Sequence, residues 1–166
     1  TWIPGCSTIV DHKYVFDKIG YNLKPLDLQG AIGSVQLRKF QEIHDLRRLN
    51  KSAIDALFLQ IPGCNIIGEH SNSEVSWFGT PIVCDSSELK SRLVMHLENN
   101  RIQTRNYFAG NLLRQPGYAH LGDWEDFPNA SLVLERVFFV GASPTINQLM
   151  INRIEKVLLE FTELAQ

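Results

Sequence analysis

The chain reads as an α/β sandwich, a small sheet with helices on one face, and three observations lead there. Apolar residues recur in steps of three and four from Leu28 to Leu57, the mark of a long amphipathic helix. Short apolar runs then alternate with helical patterns, giving the order helix, strand, helix, strand, loop, helix, strand, helix. No glycine-rich turn joins a first strand to a helix, so neither a Rossmann nor a P-loop layout has support. The 166 residues and 44% hydrophobic content suit one domain with a real core, and the 10% aromatic content argues against disorder.

Residues 1–26 are irregular, with the turn formers Pro4-Gly5, Gly20 and Pro25. The expected organisation is this segment followed by a single small domain over residues 27–166. Asp27 is placed to cap the long helix, and Pro62-Gly63 stops it. Its buried face carries Ile32, Val35, Phe40, Ile43, Leu46, Leu49 and Ile54. The opposite face, with Arg38, Lys39, Glu42, Asp45, Arg47, Arg48 and Lys51, is mixed in sign and reads as solvated. Gly30, Ala31, Gly33 and Ser34 crowd its first two turns, although each glycine costs ~1 kcal/mol relative to alanine in a helix. Such small residues fit docking against another domain or subunit as well as tight packing within this domain.

Cys64 to Gly68 is extended, and Trp77 to Cys84 reads as a strand whose Pro81 points to an edge or a bulge. A helix follows from Ser87 to about Asn99, opened by a capping box with Asp85 as cap and Glu88 as its partner. Ile102 to Tyr107 is a further strand. Residues 108–128 form a long loop, a length usually tied to function or motion. A short helix over Asn129–Glu135, a strand over Val137–Gly141 and a helix from Thr145, with Gln148 completing a capping box, end the chain.

Sixteen basic and 18 acidic residues give a net charge of -2, so nothing marks a nucleic-acid partner. No run approaches the ~18 apolar residues of a membrane span. No signal peptide is visible, and the first residue is threonine, so the chain reads as processed, trimmed or a fragment. Cys6, Cys64 and Cys84 form no CxxC pair and no disulfide framework; they read as idle thiols in a reducing cytoplasm. His12, His44, His70, His96 and His120 show no metal-ligand spacing, and His44 and His96 read as surface or boundary residues of helices. A GxSxG elbow is absent. Asp123, Glu125 and Asp126 read as a solvated loop rather than a carboxylate pair. The sequence therefore offers no catalytic residue and no metal site.

Two clusters gather polar and aromatic residues at element ends. The first is Asp11-His-Lys-Tyr14 with Gly20-Tyr-Asn-Leu-Lys24; the second is Arg105-Asn-Tyr-Phe-Ala-Gly-Asn111-Leu-Leu-Arg-Gln-Pro116. Arginine offers a planar fork to phosphate oxygens, and aromatic rings offer stacking area. At these clusters the chain resembles the C-terminal domain of the sugar aminotransferase superfamily (DegT-type), fold-type-I enzymes that use pyridoxal phosphate (PLP). Within it, the likeness is greatest to the 3-dehydrases of 4-keto-6-deoxy sugars, such as CDP-4-keto-6-deoxyglucose 3-dehydrase. Asp27-Leu-Gln-Gly-Ala-Ile-Gly33 with Gln36-Leu37, Ser76-Trp-Phe-Gly79 with Pro81-Ile82, and Thr104-Arg105 carry it further, in the family's order. Phe108-Ala-Gly-Asn111 points to the dehydrases rather than to true aminotransferases.

The resemblance implies a mostly antiparallel small sheet and a role in deoxysugar or lipopolysaccharide synthesis. It implies that Asn22 reaches across a homodimer to the cofactor phosphate, and that His12, Tyr14, Lys24, Arg105, Phe108 and Asn111 border a nucleotide-sugar pocket. The family's large domain, which holds the ring-stacking aromatic, the carboxylate for the pyridinium nitrogen and the active-site base, has no counterpart in these residues. The chain alone is thus expected to be inactive and to hold no cofactor, with PLP or its amine form (PMP) implied for the full-length family. Two alternatives stand beside this one: a non-catalytic binding or dimerisation module that keeps the fold, and the small half of a split enzyme.

Overall fold

A computed structural model describes Val15, residues 18–21 and residues 23–164. The chain divides into two compact units, Thr1–Arg38 and Lys39–Gln166. The division falls after Arg38 rather than at Asp27, because the expected long helix is two helices. They are α1 (Asp27–Arg38) and α2 (Phe40–Phe58), separated by Lys39. The apolar rhythm runs across Lys39 without a glycine or proline, so periodicity could not reveal the break.

In the first unit, α1 has Asp27 in its first turn and Arg38 in its last, the signs that suit the helix dipole. The Ser34 hydroxyl donates to Gly30 O at 2.8 Å, and Arg38 Nε donates to Ser34 O at 3.3 Å. The helix buries none of its residues. Leu28, Ile32 and Leu37 are all more than half exposed, and a Cβ added at Gly30 or Gly33 would meet nothing within 4 Å.

The second unit is built on a four-stranded sheet of order β1-β2-β4-β3, with β1 Cys64–Ile66, β2 Gly79–Cys84, β3 Thr104–Asn106 and β4 Val137–Gly141. Every pairing is antiparallel. Against one face pack α2, α3 (Ser87–Asn99) and α5 (Gln148–Glu163). Ile54 and Phe58 of α2, Leu93 and Leu97 of α3, and Ile154, Val157, Leu158 and Phe161 of α5 meet Ile82, Phe138 and Val140 of the sheet. Phe58 and Phe138 touch edge to face at the centre, with ring centroids 6.0 Å apart. The short helix α4 (Pro128–Arg136) leads into β4.

Pro81 lies in an interior strand, not at an edge or bulge. Ala142 N donates to Phe78 O, so the even-numbered residues of β2 bond toward β4 and Pro81 turns its nitrogen toward the β1 side. There β1 has ended, its last pair being Ile66 with Ile82, and no ladder donor is lost.

Three further expectations shift in detail. The cap of α3 is Ser86, whose Oγ accepts from Leu89 N at 3.1 Å, in place of Asp85. The cap of α5 is Asn147, accepting from Met150 N, so this helix starts at Gln148 rather than Thr145. The outer face of α2 is only partly solvated. Lys51 is buried, with Nζ 2.5 Å from Asp55 Oδ2 and 4.6 Å from the Trp77 ring centre. His44 is also buried, its Nε2 3.1 Å from Glu74 Oε1, while His96 Nε2 meets Val157 O at 2.9 Å. No helix among the described residues is long and apolar enough to cross a membrane.

Candidate functional site

The second sequence cluster begins on β3, an edge strand of three residues, and something must hold so short a strand in place. Glu98, at the end of α3, accepts from Thr104 N at 2.5 Å and from Thr104 Oγ1 at 2.7 Å. These two bonds keep its carboxyl below the usual range, and the charge of Arg105 acts in the same direction. With Thr104 turned into the core, alternation turns Arg105 to the opposite face of the sheet. Arg105 is exposed there, directly across from Phe139 of β4.

Around Phe139 the chain assembles a cluster of rings. Phe78 lies 5.2 Å from it, Phe108 6.3 Å and Tyr107 6.4 Å between centroids, and Phe78 and Phe108 are 6.1 Å from each other. Gly79 makes the approach possible, since a Cβ there would stand 2.5 Å from the Phe139 ring. Phe78 and Phe108 remain 51% and 67% exposed, so the cluster offers open ring surface on the sheet face to which Arg105 is turned. Phe108 is held at φ 53°, a left-handed conformation that costs an aromatic residue energy and that occurs often at binding sites.

After Phe108 the loop is pinned from beneath. Gly110 takes φ 60°, and a Cβ there would lie 2.4 Å from Leu134 Cβ. Asn111 is 2% exposed. Its Nδ2 reaches Ser131 Oγ at 2.9 Å, Trp124 O at 3.0 Å and Phe127 O at 3.4 Å, and its Oδ1 accepts from Leu113 N at 3.1 Å. Short 3-10 turns at Leu112–Arg114, Ala119–Leu121 and Trp124–Asp126 replace the structureless loop expected over 108–128. Arg114 covers the Trp124 ring at 4.8 Å and pairs with Glu135.

The structure thus brings Arg105 and Phe108 together at Phe139 and puts Asn111 below them as an anchor of the loop. Lys24 belongs to the first unit, exposed in the irregular stretch before α1. His12, Tyr14 and Asn22 lie outside the described residues. Phe78, Tyr107 and Phe139 were not singled out from sequence as site residues. Tyr107 stands inside the second cluster, and for Phe78 the signal is the Trp77-Phe78-Gly79 stretch, whose glycine marks a close approach.

Comparison with known proteins gives this geometry a setting. A dTDP-4-dehydro-2,6-dideoxy-D-glucose 3-dehydratase of Saccharopolyspora spinosa is 34% identical over 155 residues, which cover 91% of this chain and 34% of that protein. The lipopolysaccharide biosynthesis protein RfbH of Salmonella typhimurium strain LT2 is 32% identical over 163 residues, 92% of this chain and 36% of that protein. The chain therefore spans about a third of the length of these relatives. Among solved structures, the GDP-4-keto-6-deoxy-D-mannose 3-dehydratase of Escherichia coli with bound hydrated PLP superposes with a TM-score of 0.73 at 27% identity, over 88% of this chain and 38% of that one. The profile of one family matches residues 3–158, nearly the whole sequence. The chain belongs to the DegT/DnrJ/EryC1/StrS aminotransferase family.

Proposed function

We propose that this chain is the C-terminal domain, or a fragment containing it, of a nucleotide-sugar 3-dehydratase acting on a 4-keto-6-deoxyhexose in deoxysugar or lipopolysaccharide synthesis, and that it is inactive alone. The observation that carries this reading is the exposed Arg105, turned to the same sheet face as the open rings of Phe78 and Phe108, in a chain 34% identical to a 3-dehydratase. Arg105 would receive anionic oxygens of the nucleotide, and Phe108 would lie against an apolar sugar or base face. Asn111 acts one step back by fixing the loop that presents Phe108. His12, Tyr14 and Lys24 would complete the border of the same pocket in the assembled protein, and Asn22 would reach the cofactor phosphate of a partner subunit.

The cofactor of the family's solved members is PLP or its amine form, as in the structures with bound hydrated PLP and in a PMP form. The described residues do not build a site for it. Lys51, Asp55 and Trp77 gather a lysine, a carboxylate and a ring, but the lysine is bound by the carboxylate and lies over the ring. These groups are committed to one another, and no cofactor step is assigned to them. The reading therefore requires a further domain to supply the cofactor site, in the same chain or another. The stripe Leu28, Ile32 and Val35 on α1, all exposed, supports docking of the first unit on such a domain or on a second copy. A cytoplasmic setting accords with the nucleotide-sugar substrate class.

The test is direct. The chain is incubated with PLP or PMP and with CDP-, dTDP- and GDP-linked 4-keto-6-deoxy sugars, and absorbance and sugar turnover are followed. No shifted cofactor band and no turnover are expected. Turnover by the chain alone would overturn the reading.

A further inference from the structure

Cys64 and Cys84 stand twenty residues apart in sequence but directly opposite each other where β1 pairs with β2. Asp85 N donates to Gly63 O at 2.8 Å, which makes Cys64 and Cys84 a non-hydrogen-bonded pair of the antiparallel ladder. In such pairs the Cα atoms stand about 4.5 Å apart and the side chains lean together on one face, within the span of about 4.4–6.8 Å that a disulfide bridges. Both thiols are free and buried, at 6% and 1% exposure. We propose that Cys64 and Cys84 are a redox-active pair that a peroxide closes into a cross-strand disulfide, stapling the edge strand β1 to β2.

The surroundings favour this chemistry. Lys90 of α3 is buried, and its Nζ donates to Leu134 O at 2.8 Å at the end of α4. No carboxylate among the described residues lies within 4.0 Å of that ammonium. A buried cation without a carboxylate gains from an anion nearby. The Cys84 thiol is held below its ordinary value by its neighbour Cys64 first and, against burial and the Asp85 charge, by the Lys90 charge, while Cys64 is pushed up by Cys84, by burial and by the Asp85 charge. Of the two, Cys84 is thus the one that gives up its proton first and serves as the attacking sulfur. Access comes through β1, an edge strand of three residues, which can open locally without unfolding the core.

The reaction balances. The Cys84 thiolate attacks one oxygen of hydrogen peroxide, the O–O bond breaks, hydroxide leaves, and Cys84 becomes a sulfenic acid. The Cys64 sulfur then attacks the Cys84 sulfur, the S–O bond breaks, and the hydroxyl leaves as water with the Cys64 proton. The two cysteines lose two electrons, and the peroxide receives them.

The pair is well placed for detection. Trypsin leaves both cysteines on one peptide, residues 52–90, whereas cleavage after Glu69 and Glu74 separates them. After hydrogen peroxide treatment of the folded chain, the tryptic peptide is expected to lose about 2 Da relative to its reduced form, and the glutamyl-cleaved peptides to be joined. The bridge should raise Tm by roughly 5–10 °C, reversed by dithiothreitol. Lys90→Met should slow its formation about 3–10-fold. Cys64→Ser should abolish the joined peptides and leave Cys84 to proceed to the sulfinic acid. Oxidation confined to Cys6, or sulfinic acid at Cys84 of the unaltered chain with no joined peptides, would overturn the proposal. So would equal bridging rates in folded and urea-unfolded protein.

Discussion

Asn111 shows how a polar residue in a candidate site can serve by what it holds. Its amide meets three acceptors from the 124–131 stretch and caps the turn at Leu112, all from a position 2% exposed. Asn111→Ala would strand those partners and is expected to cost about 2–3 kcal/mol in urea unfolding, more than a surface contact could. Gly110 beside it admits no side chain. Gly110→Ala is expected to destabilise by about 2–4 kcal/mol, because it combines a left-handed φ with a clash against Leu134. Arg105 and Phe108 belong to the opposite kind, both exposed, Phe108 with only one side of its ring against the Phe139 cluster. Arg105→Ala and Phe108→Ala are therefore expected to leave Tm within a few degrees of the parent. At this scale the sequence points to a segment but cannot rank its members. Exposure separates Phe108 from Asn111, and exposure is a tertiary property.

Among elements, the link between α3 and β3 is the one most open to experiment. Glu98 holds Thr104 through two bonds, and its carboxyl is kept below the ordinary value of 4.5. A group lowered by folding stabilises fully above its unfolded value and loses that contribution as pH falls through the folded one. Amide exchange at Thr104 and Arg105 is thus expected to quicken as pH is lowered below about 4, after correction for intrinsic rates. In Glu98→Ala, exchange there should already be fast at neutral pH and insensitive to acid. Most elements were legible from periodicity and caps, among them α3, α4, β4 and the body of α5. Two failures are instructive. The break at Lys39 carries no glycine or proline, and Pro81 sits in an interior strand because its neighbour β1 stops one pair earlier. The second depends on where another strand ends, which local sequence does not encode. The same holds for Cys64 and Cys84, whose separation in sequence hid their pairing.

For the whole molecule, the question is how a domain spanning about a third of its relatives contributes to their chemistry. The exposed apolar stripe of α1 is expected to drive concentration-dependent association of the isolated chain, measured by light scattering after size exclusion. Ile32→Glu should leave a monomer, and a parent chain monomeric at all concentrations would contradict the docking role of α1. The fold class and the family were legible because several short motifs recur in order along one chain. The ring cluster around Phe139 was not, since it brings the residue before β2 and the two after β3 onto β4, across a face that forms only when the sheet does. That face is the centre of the functional account. Its most direct test is a titration of the labelled chain with CDP-, dTDP- and GDP-linked sugars, read by amide chemical shifts in NMR. Shifts clustered at Arg105, Tyr107, Phe108 and Phe78, and lost in Arg105→Ala, are the expected result. Shifts centred elsewhere, or none at millimolar ligand, would contradict it.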